Sequence, residues 1–108
     1  MENTLVTNSK ADYINLSGSK IENSQLEKSS LVDSYFQDVT IKKSLKFIQC
    51  ELDKTDFLGT SLVGVDISSS YFETLNVTTD QVRGCIISPQ QAITFVSLLG
   101  VKINDDVS

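Results

Sequence analysis

Large apolar residues recur every five positions along most of this chain. The series runs Leu16, Ile21, Leu26, Leu31, Phe36 and Ile41. One extra residue intervenes, and the spacing resumes through Phe47, Leu52, Phe57, Leu62, Ile67 and Phe72. Two residues before each stands a side chain that is usually small: Ser19, Ser24, Ser29, Ser34, Val39, Cys50, Thr55, Thr60, Val65 and Ser70, with Ile14 and Leu45 as larger exceptions. The positions between are mostly polar. A helix of 3.6 residues per turn or a strand of period two would lose this register within two periods, so neither element explains it.

A short extended piece and a turn every five residues form one side of a square. Four sides bring the chain back over its start, one strand spacing higher, about 4.8 Å. The large residue of each side then points inward with the small one two before it, because the interior is too narrow for two large ones. Successive coils stack these residues in columns. Leu16, Phe36 and Phe57 share the first side, and Ile21, Ile41 and Leu62 the second. Leu26, Phe47 and Ile67 share the third, and Leu31, Leu52 and Phe72 the fourth. The extra residue within Ile41–Phe47 must be absorbed as a bulge at a corner if Phe47 is to face inward. Lys42, Lys43 and Lys46 mark that stretch as solvated.

TDFLG at 55–59 and VDISS at 65–69, with the weaker SQLEK at 24–28, carry a resemblance to the pentapeptide-repeat family, whose motif is roughly A(D/N)LXX. It covers about residues 14–74, with a fainter extension back through Ala11 and Val6. This chain has serine where the family more often has alanine. The resemblance implies an all-β fold, a right-handed quadrilateral β-helix. Residues 1–13 are expected to be a lead-in of weak repeats, 14–74 the β-helix of three clear coils, and 75–108 a C-terminal cap.

The repeat fades after Phe72, where Leu75 and Asp80 stand at positions for small residues. Ser88-Pro89-Gln90-Gln91 reads as a helix start, with Ser88 as N-cap, Pro89 at the first helical position and Gln91 completing a capping box. Gly100 fits the stop. A capping helix over about 89–99 follows, and Val101-Lys102-Ile103 alternates like a short strand. The open end of a solenoid needs such a cover. The apolar arc of the helix, about 220°, is wider than one buried face requires. Its surplus flank is expected to meet a second copy, with Ile93, Phe95, Leu98, Leu99, Val101 and Ile103 as the candidate dimer interface. Residues 81–103 also resemble the C-terminal segment of bacterial quinolone-resistance members of the family, in which that segment dimerises.

Composition narrows the chemistry. The 108 residues include no histidine and no tryptophan, two cysteines and one proline. Triads, dyads and zinc sites that need imidazole are excluded, and two cysteines are too few for an all-thiolate zinc site. Cys50 occupies a small inward position and Cys85 lies between repeats and helix, so both are expected to be packing thiols. Neither Glu51 with Asp53 nor Asp105 with Asp106 has the apolar setting or companion base of acid–base catalysis. No phosphate loop or nucleophile elbow occurs. The chain is therefore expected not to be an enzyme and to need no cofactor or metal.

A net charge of −5 argues against direct binding of nucleic acid or an anionic membrane through a basic patch. No apolar run is long enough to span a bilayer, and the N-terminus lacks a signal-peptide pattern, which makes a cytoplasmic, bacterial protein the default expectation. The charge is unevenly placed. The fourth side carries Asp33, Glu51, Asp53 and Glu73, and the second carries Lys20, Lys42 and Lys43. Exposed Tyr35, Tyr71, Leu58 and Val63 are candidate contact spots. Two functions are in view. The first is a protein-interaction solenoid with an unassigned partner. The alternative, implied by the resemblance, is a DNA mimic that binds DNA gyrase or topoisomerase IV and protects against quinolones. The chain is about half the usual length of those relatives, and its first coil has no obvious cap; it is either a short product or the C-terminal part of a longer solenoid.

Overall fold

The computed structural model describes residues 1–101. They form a β-solenoid of about four turns followed by one helix. The strands are β1 (Leu5–Thr7), β2 (Lys20–Glu27), β3 (Thr40–Ile48), β4 (Thr55–Asp56) and β5 (Leu75–Asn76), and the helix is α1 (Pro89–Leu98). All pairings are parallel: β1 with β2, β2 with β3, and β4 with β5. Single parallel bridges, such as Ser30 with Glu51 and Glu51 with Tyr71, extend the same register between the strands.

This register lifts each residue over the one 20 or 21 places earlier. Ile21 lies over Ile41 and Leu26 over Phe47. The bridges Asn15–Tyr35 and Tyr35–Asp56 put Leu16, Phe36 and Phe57 in one column. The large residue of each repeat thus enters the core, where Phe36, Phe47 and Phe57 are at most 1% exposed. Their rings meet at centroid distances of 5.5–6.1 Å, one pair stacked and two edge-to-face, geometries that add to the gain from burial. The one-residue insertion appears as a register shift: Glu22 pairs with Lys42, but Ser24 pairs with Leu45. Lys43 takes a left-handed conformation there and its ammonium lies 3.3 Å from the Glu22 carboxylate.

The coil count exceeds the sequence expectation at both ends. Glu2 bridges Glu22, β1 pairs with β2, and Lys10 bridges Ser30, so residues within 1–13 build part of a turn. Thr55 pairs with Leu75, and Asp66 bridges Ile86, so the parallel register also continues past Phe72. Backbone pairing tolerates the irregular side chains there because hydrogen bonds between turns do not depend on residue type.

The serine and threonine content has a structural cause. Inward hydroxyls bond to the backbone of the preceding turn. Thr55 Oγ1 donates to Leu31 O (3.0 Å) and Ser70 Oγ to Phe47 O (2.7 Å). Thr60 Oγ1 donates to Phe36 O and accepts from Val39 N at 2.9 Å. Among the described residues no buried side-chain nitrogen or oxygen lacks a partner. Alanine would fill the same space without these cross-links.

The corners follow a second five-residue rhythm. Asn3, Asn8, Tyr13, Gly18, Asn23, Lys28, Asp33, Asp38 and Lys43 all have positive φ, and the series resumes after the insertion with Gln49, Lys54, Gly59 and Gly64. Asparagine, aspartate and glycine tolerate this conformation best. Gly59 is also required by space, since a Cβ there would lie 2.0 Å from Asp38 Oδ1.

The helix matches its sequence signals. Ser88 Oγ accepts from Gln91 N (3.2 Å) and Gln91 Oε1 accepts from Ser88 N (2.9 Å). At the other end Gly100, with φ 81°, donates to Ser97 O while Val101 N donates to Val96 O. These are the two bonds of a Schellman stop. No helix among the described residues is long and apolar enough to cross a membrane. Val101 belongs to no strand, and the rest of the expected Val101–Ile103 strand lies outside the described residues.

Candidate functional site

The acidic residues picked out by the repeat are linked from turn to turn through backbone contacts. Asp33 N donates to Asp53 O (3.0 Å), and Glu51 bridges Tyr71 in the next turn. Glu73 follows beside Asp53, whose Oδ1 accepts from Glu73 N (3.1 Å), Thr74 N (2.9 Å) and Thr74 Oγ1 (3.3 Å). The amide of Thr74, followed by that of Glu73 and the Thr74 hydroxyl, outweighs slight burial and holds the Asp53 carboxyl below its ordinary value. Asp53 therefore staples two turns together as well as carrying charge. Glu73 accepts from the Tyr71 hydroxyl at 2.9 Å, and that bond pushes the phenol's pKa up.

Asp12 belongs to the same flank and was not among the expected acidic residues. It stands two turns before Asp53 and accepts from Ser30 Oγ (2.5 Å) and Val32 N (2.9 Å). The Ser30 hydroxyl is the main cause that lowers its pKa. Its signal was present, because Asp12 follows the inward position Ala11 as Asp53 follows Leu52, but a small inward residue makes that repeat weak.

The expected dimer residues are divided between two roles. Phe95 is 6% exposed and meets Phe72 edge-to-face at 5.3 Å, so it closes its own solenoid and has almost no surface left for a second chain. Leu98 is also partly buried against the core. Ile93 and Val101 face outward, at 65% and 58% exposure. Ile103 lies outside the described residues, as do Asp105 and Asp106. Sequence reasoning missed Gln91 as a contact with the last turn: its Nε2 donates to Ile67 O and Ser70 O, both at 2.7 Å. A helix wheel ranks apolar faces and gives no weight to a glutamine.

Both thiols are free. Cys50 is buried and its Sγ contacts Leu26 O at 3.3 Å; burial pushes its pKa up. Cys85 is pushed up to about 11, chiefly by burial, and its Sγ lies 3.4 Å from Val65 O. Neither has the lowered pKa of a nucleophilic cysteine. Tyr35, Tyr71 and Val63 are exposed, and Leu58 is half-buried.

No protein-family model matches the chain, and no curated protein does.

Proposed function

We propose that this chain is a non-enzymatic protein-interaction solenoid of the pentapeptide-repeat kind, wound as a right-handed quadrilateral β-helix. The observation that carries the proposal is the parallel register of 20 or 21 residues per turn. Four repeats of five fit one such turn, and the left-handed residue at nearly every fifth position supplies a corner for each side. A right-handed winding agrees with the strong preference of connections between parallel strands. The product is a stiff body whose outer side chains stand at fixed spacings, which suits recognition of another folded protein. No cofactor or metal enters this function, and the compartment is the cytoplasm, where both thiols stay reduced.

The flank bearing Asp33, Glu51, Asp53 and Glu73 is the proposed contact surface. Charge-reversal of Asp33, Glu51 and Glu73 to lysine tests it, with Asp53 kept because it holds two turns together. Partners captured from a bacterial lysate by the parent chain are expected to be lost with the triple variant while the melting temperature holds. Unchanged capture places recognition elsewhere.

The same flank favours a second reading. Carboxylates one rung apart, about 4.8 Å, run along the axis as phosphates run along a DNA strand. In this reading the chain engages a type II topoisomerase in place of DNA. A gyrase supercoiling assay is expected to show inhibition or quinolone protection at micromolar protein; no effect removes the reading. A helix-to-helix homodimer through α1 belongs to it as well, resting on Ile93 and Val101 with the remaining edges of Leu98 and Leu99.

A further inference from the structure

Gln91 and Phe95 hold α1 on the last turn, and a groove is left along one flank of that contact. Tyr71, Phe72 and Glu73 form its solenoid wall, and Ile93, Ser97 and Leu98 its helix wall. It holds about 590 Å³. A second hollow shares Tyr71, Phe72 and Thr94 and continues it toward Ser88. The 10 residues of α1 make the helix wall about 15 Å long, the reach of four or five extended residues. Both walls display apolar surface, with Tyr71 56% and Ile93 65% exposed. Only one displays charge. α1 carries no acidic or basic residue, and Glu73 is the one charged side chain among the described residues of the lining. Its Oε1 accepts from the Tyr71 hydroxyl at 2.9 Å, and a carboxylate has further lone pairs to offer. Asp53 lies one turn back from Glu73, and Glu51 one turn back from Tyr71. The phenol's pKa is raised first by the bond to Glu73, then by slight burial and by the charges of Glu73, Asp53 and Glu51. All three carboxylates are therefore felt at the solenoid wall.

We propose that this groove receives a basic segment of a partner protein, in which an arginine or lysine stands beside an apolar side chain. The proposal rests on the interaction-solenoid reading and names the chemistry of the partner. The apolar side chain packs against Phe72, Ile93 and Leu98, and the cation meets Glu73 with Glu51 and Asp53 behind it. The aliphatic stem of a long basic side chain suits the apolar walls, and its charged head can lie on the exposed Tyr71 ring. Charge selects this occupant over others. A second copy seated in the groove would set Glu73 against its own counterpart and join two chains of net charge −5. Residues 102–108 of the chain carry Asp105 and Asp106 against Lys102, the wrong balance for an acidic wall. A nucleic acid or an anionic lipid surface would find no cation among the described lining residues, since Lys54 stands at a corner outside them. The α1 homodimer of the second reading would cover Ile93, so dimer and groove occupant are alternatives.

The probe is a displayed library of random peptides of about 12 residues, longer than the groove, selected on the full chain. Enriched peptides are expected to carry arginine or lysine next to leucine, isoleucine or phenylalanine. The best of them, synthesised and labelled, is then titrated by fluorescence anisotropy. Glu73→Lys reverses the charge of the wall, and Ser97→Trp fills the groove from the helix side; both positions are exposed. Each is expected to weaken binding at least about ten-fold with the circular-dichroism melt unchanged. Raising salt from about 50 to about 500 mM is expected to weaken it at least about three-fold. If Ser97→Trp does not fold, Glu73→Lys and the salt series decide. A selection that yields no binder, or binders without a basic residue, overturns the proposal. So does binding that survives the folded variants. Partner capture that is lost with the Asp33, Glu51 and Glu73 reversal but kept by Ser97→Trp overturns the groove and leaves the acidic-flank reading standing; capture kept by both overturns both.

Discussion

At the C-terminal end of the solenoid Phe95 lies over Phe72, and Gln91 donates to the carbonyls of Ile67 and Ser70. In the first described turn the same apolar columns carry Met1, Val6, Ala11 and Leu16, which are half-buried. The difference shows that closing a solenoid takes two things. Apolar cover removes the ends of the columns from water, and donors must satisfy the carbonyls that a further turn would have bonded. The helix supplies both through residues four apart on one face, Gln91 and Phe95. The first turn supplies neither, although its inward residues repeat those of the turns that follow.

Mutations can break or sharpen this contrast between the helix-sealed end, the first turn and the middle between them. Phe57→Ala in the middle is expected to cost about 3–5 kcal/mol, since the cavity opens between Phe36 and Phe47 where no chain can collapse into it. Denaturant unfolding checks this, and an unchanged midpoint would contradict the register. Phe95→Ala at the sealed end is expected to cost less, about 2–3 kcal/mol, because α1 can detach while the turns remain. Hydrogen exchange should then quicken in residues 65–87 before the middle. Equal costs at the two sites would mean that helix and solenoid unfold as one unit.

Thr60→Val keeps the shape of the side chain but orphans Phe36 O and Val39 N, for an expected loss of about 2 kcal/mol by thermal melting. A neutral result would show that the inward hydroxyls are only space-fillers. Asp53 gives a pH test. Its folded pKa is lowered, so its contribution is present above the unfolded carboxylate range and is lost as pH falls through the folded value. The melting temperature is expected to hold down to about pH 5 and to drop below about pH 4, with a shallower drop in Asp53→Asn. Last, Lys54→Gly relieves a left-handed lysine (φ 60°) and is expected to gain up to about 1 kcal/mol. The gain would be read as a rise in the denaturant midpoint.

The columns were legible because each large residue has one place to go. Phe36, Phe47 and Leu52 could face only inward once the five-residue spacing was fixed. The insertion was legible for the same reason, since Phe47 must recover the register. The helix start was equally clear, because Ser88 and Gln91 use local bonds that need no tertiary context. What escaped depends on contacts one turn away. The hydroxyl bonds of Thr55 and Thr60 reach residues 24 positions earlier, and a small residue looks the same whether it bonds or merely fits. The left-handed corners were hidden because lysine and glutamine occupy several of them, and neither advertises positive φ. Phe95 was placed on the wheel with the outward residues because a wheel cannot say which of two apolar flanks lies on the solenoid. The candidate acidic flank was partly legible: the five-residue count groups Asp33, Glu51, Asp53 and Glu73 on one side, while Asp12 and the backbone bonds of Asp53 could not be read from charge.

The uniform offset of 20 or 21 residues between paired turns also fixes how the chain finds its fold. Nearly every contact that orders the core closes a loop of the same length. For 108 residues this corresponds to a relative contact order of about 0.2, in the range of all-β domains that fold in milliseconds to seconds. Each added turn would lengthen the chain without lengthening the loops. The difficult event is the first closure, of one turn upon another, and the aromatic cluster of Phe36, Phe47 and Phe57 spans the turns best placed to make it. From there growth toward either terminus repeats a single step, and the helix, docking on the last turn, ends it on one side.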